Sequence, residues 1–253
     1  MALAKSDVEK VLTVLQGIDS GDADLATRHV NPKKYIEHNP RSTGDVVGLR
    51  GYINRLSKED RHLKVVRAFQ DGHYVFTQED GLILGQNTFF DVFRFEDGLI
   101  VERWVFSAKA APPNESGHAP DGPTQANLSE NTEKNKSILR DYYETVHISG
   151  DHSRILQYFS GDYSVRHEPS VRDGVAAFLH DLGILMQHRS IDEVVFLLGE
   201  RNFVFIAAMG TVEGEPCVYI NLYRVKDEKI VEHWGFPEKI PPEEQWKNNN
   251  GML

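Results

Sequence analysis

Arg94-Phe95-Glu96-Asp97-Gly98-Leu99-Ile100-Val101-Glu102-Arg103-Trp104 reads as two extended runs joined by an Asp-Gly turn. It returns later in the chain as Arg224-Val225-Lys226-Asp227-Glu228-Lys229-Ile230-Val231-Glu232-His233-Trp234. Such a stretch is a β-hairpin. The repetition extends outward from it. Val75-Phe76 recurs as Val204-Phe205, His38-Asn39-Pro40 as His167-Glu168-Pro169, and Ser20-Gly21-Asp22 as Ser149-Gly150-Asp151, all at a single common offset. Matches spread over half the chain, with the hairpin displaced by only one position more, mark a duplicated domain, not a solenoid. Pro112-Pro113 likewise recurs as Pro241-Pro242, and a run rich in Pro, Gly and Asp between the halves forbids continuous helix or strand. The expected division is a first domain over 1–110, a linker over 111–129, a second domain over 130–243 and a tail over 244–253. His118 and Asp121 in the linker read as parts of a solvated connector, with cover over a pocket mouth as the alternative.

Within each half, helices come first. Ser6 and Glu9 form a capping box, and Val8, Val11, Leu12, Leu15 and Ile18 recur at helical spacing as far as Gly21. Ile138, Leu139, Tyr142, Tyr143 and Val146 answer them before Gly150. A second short helix is expected near Leu25 and Ile155, an extended piece ends at each His-x-Pro, and a further helix lies near Gly51–Leu56. Strands are expected over about 63–70, 73–79, 85–96 and 99–106, with turns at Asp71-Gly72 and Asp97-Gly98 making an antiparallel meander. Helices followed by a hairpin-rich sheet give an α+β fold, a bent sheet wrapped over N-terminal helices as a cone, twice in tandem.

Alternation sorts the side chains, since i and i+2 share a face of a strand. Asn87, Phe89, Asp91, Phe93 and Phe95 form one row, with Phe90 and Val92 behind it; Cys217, Tyr219, Asn221, Tyr223 and Val225 form its counterpart. Both faces are apolar, so both are expected to be covered, one by helices and the other by the sheet of the other half as an intramolecular pseudo-dimer, with further homodimerisation left open. Asp91 is costly among phenylalanines and is the first candidate base, since desolvation raises a carboxyl pKa toward the range useful beside a carbonyl; an Asp hydrogen-bonded to a strand or helix end for structure is the equal alternative. His38 and His167, each fixed by a following proline, could orient a carbonyl or pin their loops. Gln78 is a candidate polar pocket residue, with a solvated rim position as the equal alternative, and Arg103 and His233 share a strand face with Val105 and Gly235. Asn221 stands where Asp91 does, so the first copy is expected to carry any base chemistry and the second to bind or support.

Composition narrows the classes. Apolar residues make up 40% and charged residues 26% of the chain, an ordinary globular mixture. A net charge of −10 and a pI near 5.6 argue against nucleic acid and anionic membranes as partners. The N-terminal stretch carries charges where a signal peptide needs an apolar run, and no later apolar run approaches the ~18 residues of a membrane-spanning helix. A soluble cytoplasmic protein is the expectation. Cys217 is the only cysteine, read as a small buried strand residue. The eleven histidines show no His-x-x-x-His spacing, so no metal is expected, and neither a phosphate-binding glycine loop nor a Gly-x-Ser-x-Gly occurs. No cofactor is expected.

Tyr35-Ile36-Glu37-His38-Asn39-Pro40, Asp91 through Trp104, Gly117-His118 and Asp121-Gly122-Pro123-Thr124 resemble the SnoaL-like proteins of the nuclear transport factor two-like superfamily. The resemblance covers the first half and the linker directly and the second half through the repeat. It implies the cone fold, pairing through sheets, and a pocket for a small apolar or carbonyl-containing ligand, as in polyketide cyclases, steroid isomerases, dehydratases and non-catalytic binders. It also implies Asp91 as base and His38 as pocket histidine, with Tyr35, Gln78, Phe89, Phe93, Arg103, His167, Tyr219, Asn221 and His233 lining the sites. The sequence departs from the family where His-Trp-Asp is common, having Arg103-Trp104-Val105 and His233-Trp234-Gly235. Gln78 and Ala207 stand where relatives often place histidine. Three functions follow: a cofactor-independent cyclase, isomerase or aldol-type enzyme, a small-molecule binder without turnover, or a protein-interaction scaffold.

Overall fold

A computed structural model describes residues 5–83, 85–120, 122–169, 171–185 and 188–253; Asp121, singled out above, lies outside them. The chain forms two compact units. Unit 1 comprises Met1–Ala110 and Pro241–Leu253, and unit 2 comprises Ala111–Ile240. Each unit is therefore completed by chain that follows the other unit's last strand.

Unit 1 begins with α1 (Asp7–Ser20), whose Ser6–Glu9 capping box satisfies the first free amides and whose end is capped at Gly21. Its apolar face is Val11, Val14, Leu15 and Ile18. Leu12, counted above as part of that face, is 37% exposed and Val14 takes the place in the core. Asp22 caps the short α2 (Ala23–Thr27), Asp45 caps α3 (Val46–Arg55), and β1 (Ile36–His38) lies between them. Four longer strands follow as the expected meander: β2 (Arg61–Asp71), β3 (Tyr74–Ile83), β4 (Gln86–Glu96) and β5 (Leu99–Lys109). At the β4–β5 turn Asp97 and Gly98 have φ of 51° and 75°, the left-handed pair that a tight hairpin requires.

The sheet order is β1-β5-β4-β3-β2. The extended piece before the first His-x-Pro thus joins the sheet as β1, parallel to β5 at one edge. Register shifts at Val65/Arg67 and Arg94/Phe95 are bulges, which bend a sheet across the helices it covers. On the helix-facing side Val75, Phe93, Phe95 and Ile100 pack with the α1 face and with Tyr35, Leu49 and Ile53. Residues of the opposite face, among them Phe76, Phe90, Val92 and Phe106, are buried as well.

Unit 2 repeats the plan with β6 (Val165–Arg166), β7 (Arg189–Glu200), β8 (Phe203–Val212), β9 (Glu215–Lys226) and β10 (Lys229–Lys239) in the order β6-β10-β9-β8-β7. This is the tandem α+β arrangement expected. Its helices differ from those of unit 1. Here α4 (Thr132–Tyr142) runs into a π-helical turn over Tyr143–Ile148, a 3-10 helix over His152–Tyr158 replaces the short second helix, and α5 (Val175–Leu185) precedes β7. Cys217 is buried in the core of this unit. Among the described residues no helix is long and apolar enough to cross a membrane.

Close approach of α1 and α2 depends on Gly17. A Cβ there would sit 2.2 Å from the backbone N of Ala26 and 2.6 Å from its Cα. In an open helix position Gly→Ala stabilises by about 1 kcal/mol. Here overpacking should outweigh that gain by about 1–3 kcal/mol, so Gly17→Ala is expected to lower the melting temperature by several degrees. A thermal melt that rises instead would show that the two helices are free to part.

Candidate functional site

Paired residues of neighbouring strands share a face, so the register assigns every candidate. Asp91 pairs with Thr77 on one side and Val105 on the other; Phe93 pairs with Arg103, and Glu37 of β1 pairs with Arg103 in turn. These residues lie on the side that carries Val75 and Phe93, which is the side packed by helices. The chamber of unit 1 is therefore built on Asp91, Arg103, Glu37, Tyr35, Thr77 and Glu79, with Phe89 and Phe93 flanking Asp91 along β4.

Arg103 donates from Nε (2.9 Å) and Nη2 (2.5 Å) to the single oxygen Oδ2 of Asp91. Its guanidinium also lies 5.3 Å from the Phe93 ring centre, a cation–π contact. Tyr35 donates to Glu37 Oε2 at 2.9 Å. Asp91 Oδ1, both carboxyl oxygens of Glu79 and Thr77 Oγ1 are buried and lack any hydrogen-bond partner. Orphaned buried polar atoms are costly, and the unpartnered oxygen of Asp91 is the one that faces no donor.

The electrostatics follow. Burial raises the pKa of Asp91, Arg103 pulls it part of the way back, and Glu37 adds to the rise. Burial pushes the Glu79 carboxyl well above the usual range and the Asp91 charge adds to it, with Thr77 and Arg103 offsetting part. Burial opposes the charge of Arg103, but Asp91, Glu37 and Tyr35 outweigh it and hold the guanidinium protonated. Tyr35 is pushed far up by burial and by Glu37. Burial raises the pKa of Tyr52 on α3, with Arg103 and Glu37 acting on it in opposite directions.

Two candidates fall elsewhere. Gln78 pairs with Phe90, on the opposite face of the sheet from Asp91, where Arg67 Nη1 donates to its Oε1 at 2.5 Å. His38 pairs with Trp104 and stacks on it with ring centres 4.6 Å apart, again on the face away from Asp91. Its Nδ1 donates to the carbonyl of Asn250 at 3.0 Å, and its Nε2 faces Glu102 at 3.8 Å without a hydrogen bond. Burial lowers its pKa, with Glu102 opposing. The strand β1 therefore sends Glu37, not His38, toward Asp91.

In unit 2 the chamber has the same frame and different contents. Arg166 replaces Glu37, Asn221 replaces Asp91, His233 replaces Arg103 and Ala208 stands where Glu79 does. His233 Nε2 and Asn221 Oδ1 are 2.8 Å apart, and the imidazole stacks on Tyr223 with centres 4.5 Å apart. The hydroxyls of Tyr143 and Tyr223 are hydrogen-bonded at 3.0 Å. His233 Nδ1 lies 2.5 Å from Glu168 Oε1, off hydrogen-bonding geometry, and Arg166 holds the same carboxylate. Burial works against the charge of Glu168, but Arg166 and His233 prevail and bring its pKa down to about 2. Burial lowers the pKa of His233 despite Glu168. Tyr219 lies in the same core and donates to the Thr211 carbonyl at 2.7 Å. His167, like His38, is turned away: it stacks on Trp234 at 4.5 Å, with Nε2 on Glu232 at 2.8 Å and Nδ1 on the Ala119 carbonyl at 2.6 Å. In the connector, His118 contacts Asp173 at 3.1 Å.

Sequence reasoning passed over Glu37, Glu79, Arg166 and Glu168. Glu79 was within reach, because Val75, Thr77 and Glu79 alternate along β3 opposite the Asp91 row.

No family model and no curated protein matches the chain. Solved structures do. The chain is similar to TsrD from Streptomyces laurentii (21% identity, 42% of this chain and 91% of that one, TM-score 0.36). It is also similar to a candidate ketosteroid isomerase from Kribbella flavida (15%, 46% and 87%, TM-score 0.38). A third is IdmH from Streptomyces antibioticus, described as a candidate polyketide cyclase (19%, 41% and 92%, TM-score 0.35). In each case 41–46% of this chain covers 87–92% of the solved one.

The chamber makes a pH prediction. Glu79 in the unfolded chain ionises near 4.5 and in the folded chain only well above it. Above that pH the unfolded chain has released a proton that the folded chain must keep, so this group removes stability as pH rises through the window. Glu79→Gln should therefore melt higher than the wild type at pH 8, and the difference should shrink as pH falls to about 4. A difference independent of pH would mean that Glu79 is ionised in the fold.

Proposed function

We propose that unit 1 holds an acid–base site for a small, largely apolar molecule bearing a carbonyl group. The observation that carries this reading is Asp91 itself. One carboxylate oxygen is pinned by two donors from Arg103, while the other is buried, unpartnered and more basic than an ordinary aspartate. Such an oxygen is suited to take a proton from carbon next to a carbonyl. The electron pair released moves onto the carbonyl oxygen, where a protonated Glu79 supplies a hydrogen bond or the proton itself. Return of the Asp91 proton to a different carbon is an isomerisation, and attack of the enolate carbon on a second carbonyl, whose oxygen then takes the Asp91 proton as the C=O π bond opens, is an aldol-type ring closure. Phe89 and Phe93 supply apolar wall, and neither step calls for a cofactor.

A binding role without turnover is the second reading, favoured by the double donation of Arg103, which lessens the basicity of Asp91, and by Asn221 at the matching position of unit 2. Asp91→Asn separates the two. It keeps shape and removes the base, and Asn221 shows that an amide is tolerated at this place in the fold. On the enzymatic reading the variant loses kcat on a carbonyl substrate by on the order of 10²–10⁴ with KM little changed. Turnover and thermal melting are measured on the same preparations. A variant that melts like the wild type and turns over normally would leave binding as the function.

A further inference from the structure

We propose that residues 241–253 are a working part of unit 1: the C-terminal stretch holds β1 in place and, through Glu37 and Arg103, positions the Asp91 carboxylate. This rests on the reading of unit 1 as the acid–base site. The stretch follows the last strand of unit 2 in sequence but belongs to unit 1. It is tied down along its length. Lys247 N donates to the Pro40 carbonyl at 2.8 Å, and the Asn248 side-chain amide donates to the carbonyls of Asn39 (2.8 Å) and Ser42 (2.9 Å). The Asn250 amide donates to the carbonyls of Glu37 and Gly44, both at 3.2 Å, and its own carbonyl accepts from His38. Met252 is buried at 5% exposure.

The contacts concentrate on the strand that brings Glu37 to Arg103. β1 has only three residues, and among the described residues no strand lies along its far edge, where Glu37 N donates to the Gly44 carbonyl at 3.0 Å. The side chain of Asn250 locks that edge by bridging the Glu37 and Gly44 carbonyls. Its approach requires a glycine opposite, since a Cβ on Gly44 (φ 81°) would meet Asn250 Nδ2 at 2.4 Å.

A second, independent occurrence supports the assignment. In unit 2 the connector does the same work: Asn114 Nδ2 donates to the carbonyl of Arg166, the residue in Glu37's place, at 2.8 Å, and the Ala119 carbonyl meets His167 Nδ1. In both units the histidine stacks on a tryptophan, and beside it a glutamate, Glu102 or Glu232, is held by Arg94 or Arg224. His38 and His167 are thus latches for the incoming segment, which explains why both copies keep them while Asp91 is not repeated. Asn250 is a positioning residue, acting on the chamber through the backbone of β1.

The test uses the full chain with ¹³C-labelled carboxyl groups. Titrations of Asp91 and Glu79 by NMR are compared in the wild type, Asn250→Ala, Asn250→Asp and Asn249→Ala. Asn250→Asp keeps the shape and loses both donors, so a role in simple packing would leave it like the wild type. Both Asn250 variants should shift the Asp91 and Glu79 midpoints downward by on the order of one pH unit as water enters the chamber. Asn249→Ala, at an exposed residue of the same segment, should superpose on the wild type. Ligand turnover should fall on the order of 10–100-fold in the Asn250 variants. Should Asn250→Ala melt unit 1, Asn248→Ser is read in the same way. Folded Asn250 variants with wild-type midpoints would overturn the proposal. A wild type that turns over no carbonyl compound would sink the acid–base reading alone, because the titration does not depend on it.

Discussion

A guanidinium shut away from water must be surrounded by opposite charge, and in unit 1 that requirement falls on Arg103, which is 8% exposed. Asp91 answers it from the facing strand with one oxygen and Glu37 from the parallel edge strand. Glu79 is a third buried carboxyl on the same face of the sheet. Burial and the Asp91 charge both push the most deeply buried acid, Glu79, toward its protonated form. A pair of acids with separated affinities for protons is the usual basis of acid–base chemistry on one substrate. The α+β frame contributes by fixing which strand positions face inward.

Duplication makes unit 2 a natural control. Outside the chamber the copies agree in their stacking, His38 on Trp104 and His167 on Trp234, and in the Arg94–Glu102 and Arg224–Glu232 pairs, while only His167 hydrogen-bonds its glutamate. Inside, no acid of unit 1 has an acid at its counterpart: Glu37 corresponds to Arg166, Asp91 to Asn221 and Glu79 to Ala208. The acid of unit 2, Glu168, is instead pinned by Arg166 and His233 and stays ionised. A shared latch with divergent chambers is what one architecture carrying two different interior chemistries looks like.

Much of this was legible in the sequence. The nearly constant offset between the copies revealed the duplication, Asp97-Gly98 the hairpin, and alternation the row in which Asp91 stands. That His38 faces away from Asp91 has a simple cause. Alternation tells which residues of a strand share a face but not which face is covered by helices, and a strand as short as Ile36–His38 carries too little pattern to decide. Only its parallel register with β5, a long-range pairing, turns Glu37 inward. Gln78 lies on the outer face for the same reason in reverse, since its neighbour Glu79 is the inward one. The docking of 241–253 on unit 1 was hidden because hydrogen bonds between asparagine side chains and loop carbonyls leave no periodic trace.

The account stands on a carboxylic acid that remains protonated inside unit 1 at neutral pH. Infrared spectra of the full chain at pH 7, wild type against Glu79→Gln, read this directly through the carbonyl stretch of a protonated carboxyl, which is well separated from that of carboxylate. The account predicts such a band in the wild type and its loss in the variant. A wild-type spectrum with every carboxyl ionised at pH 7 would contradict it.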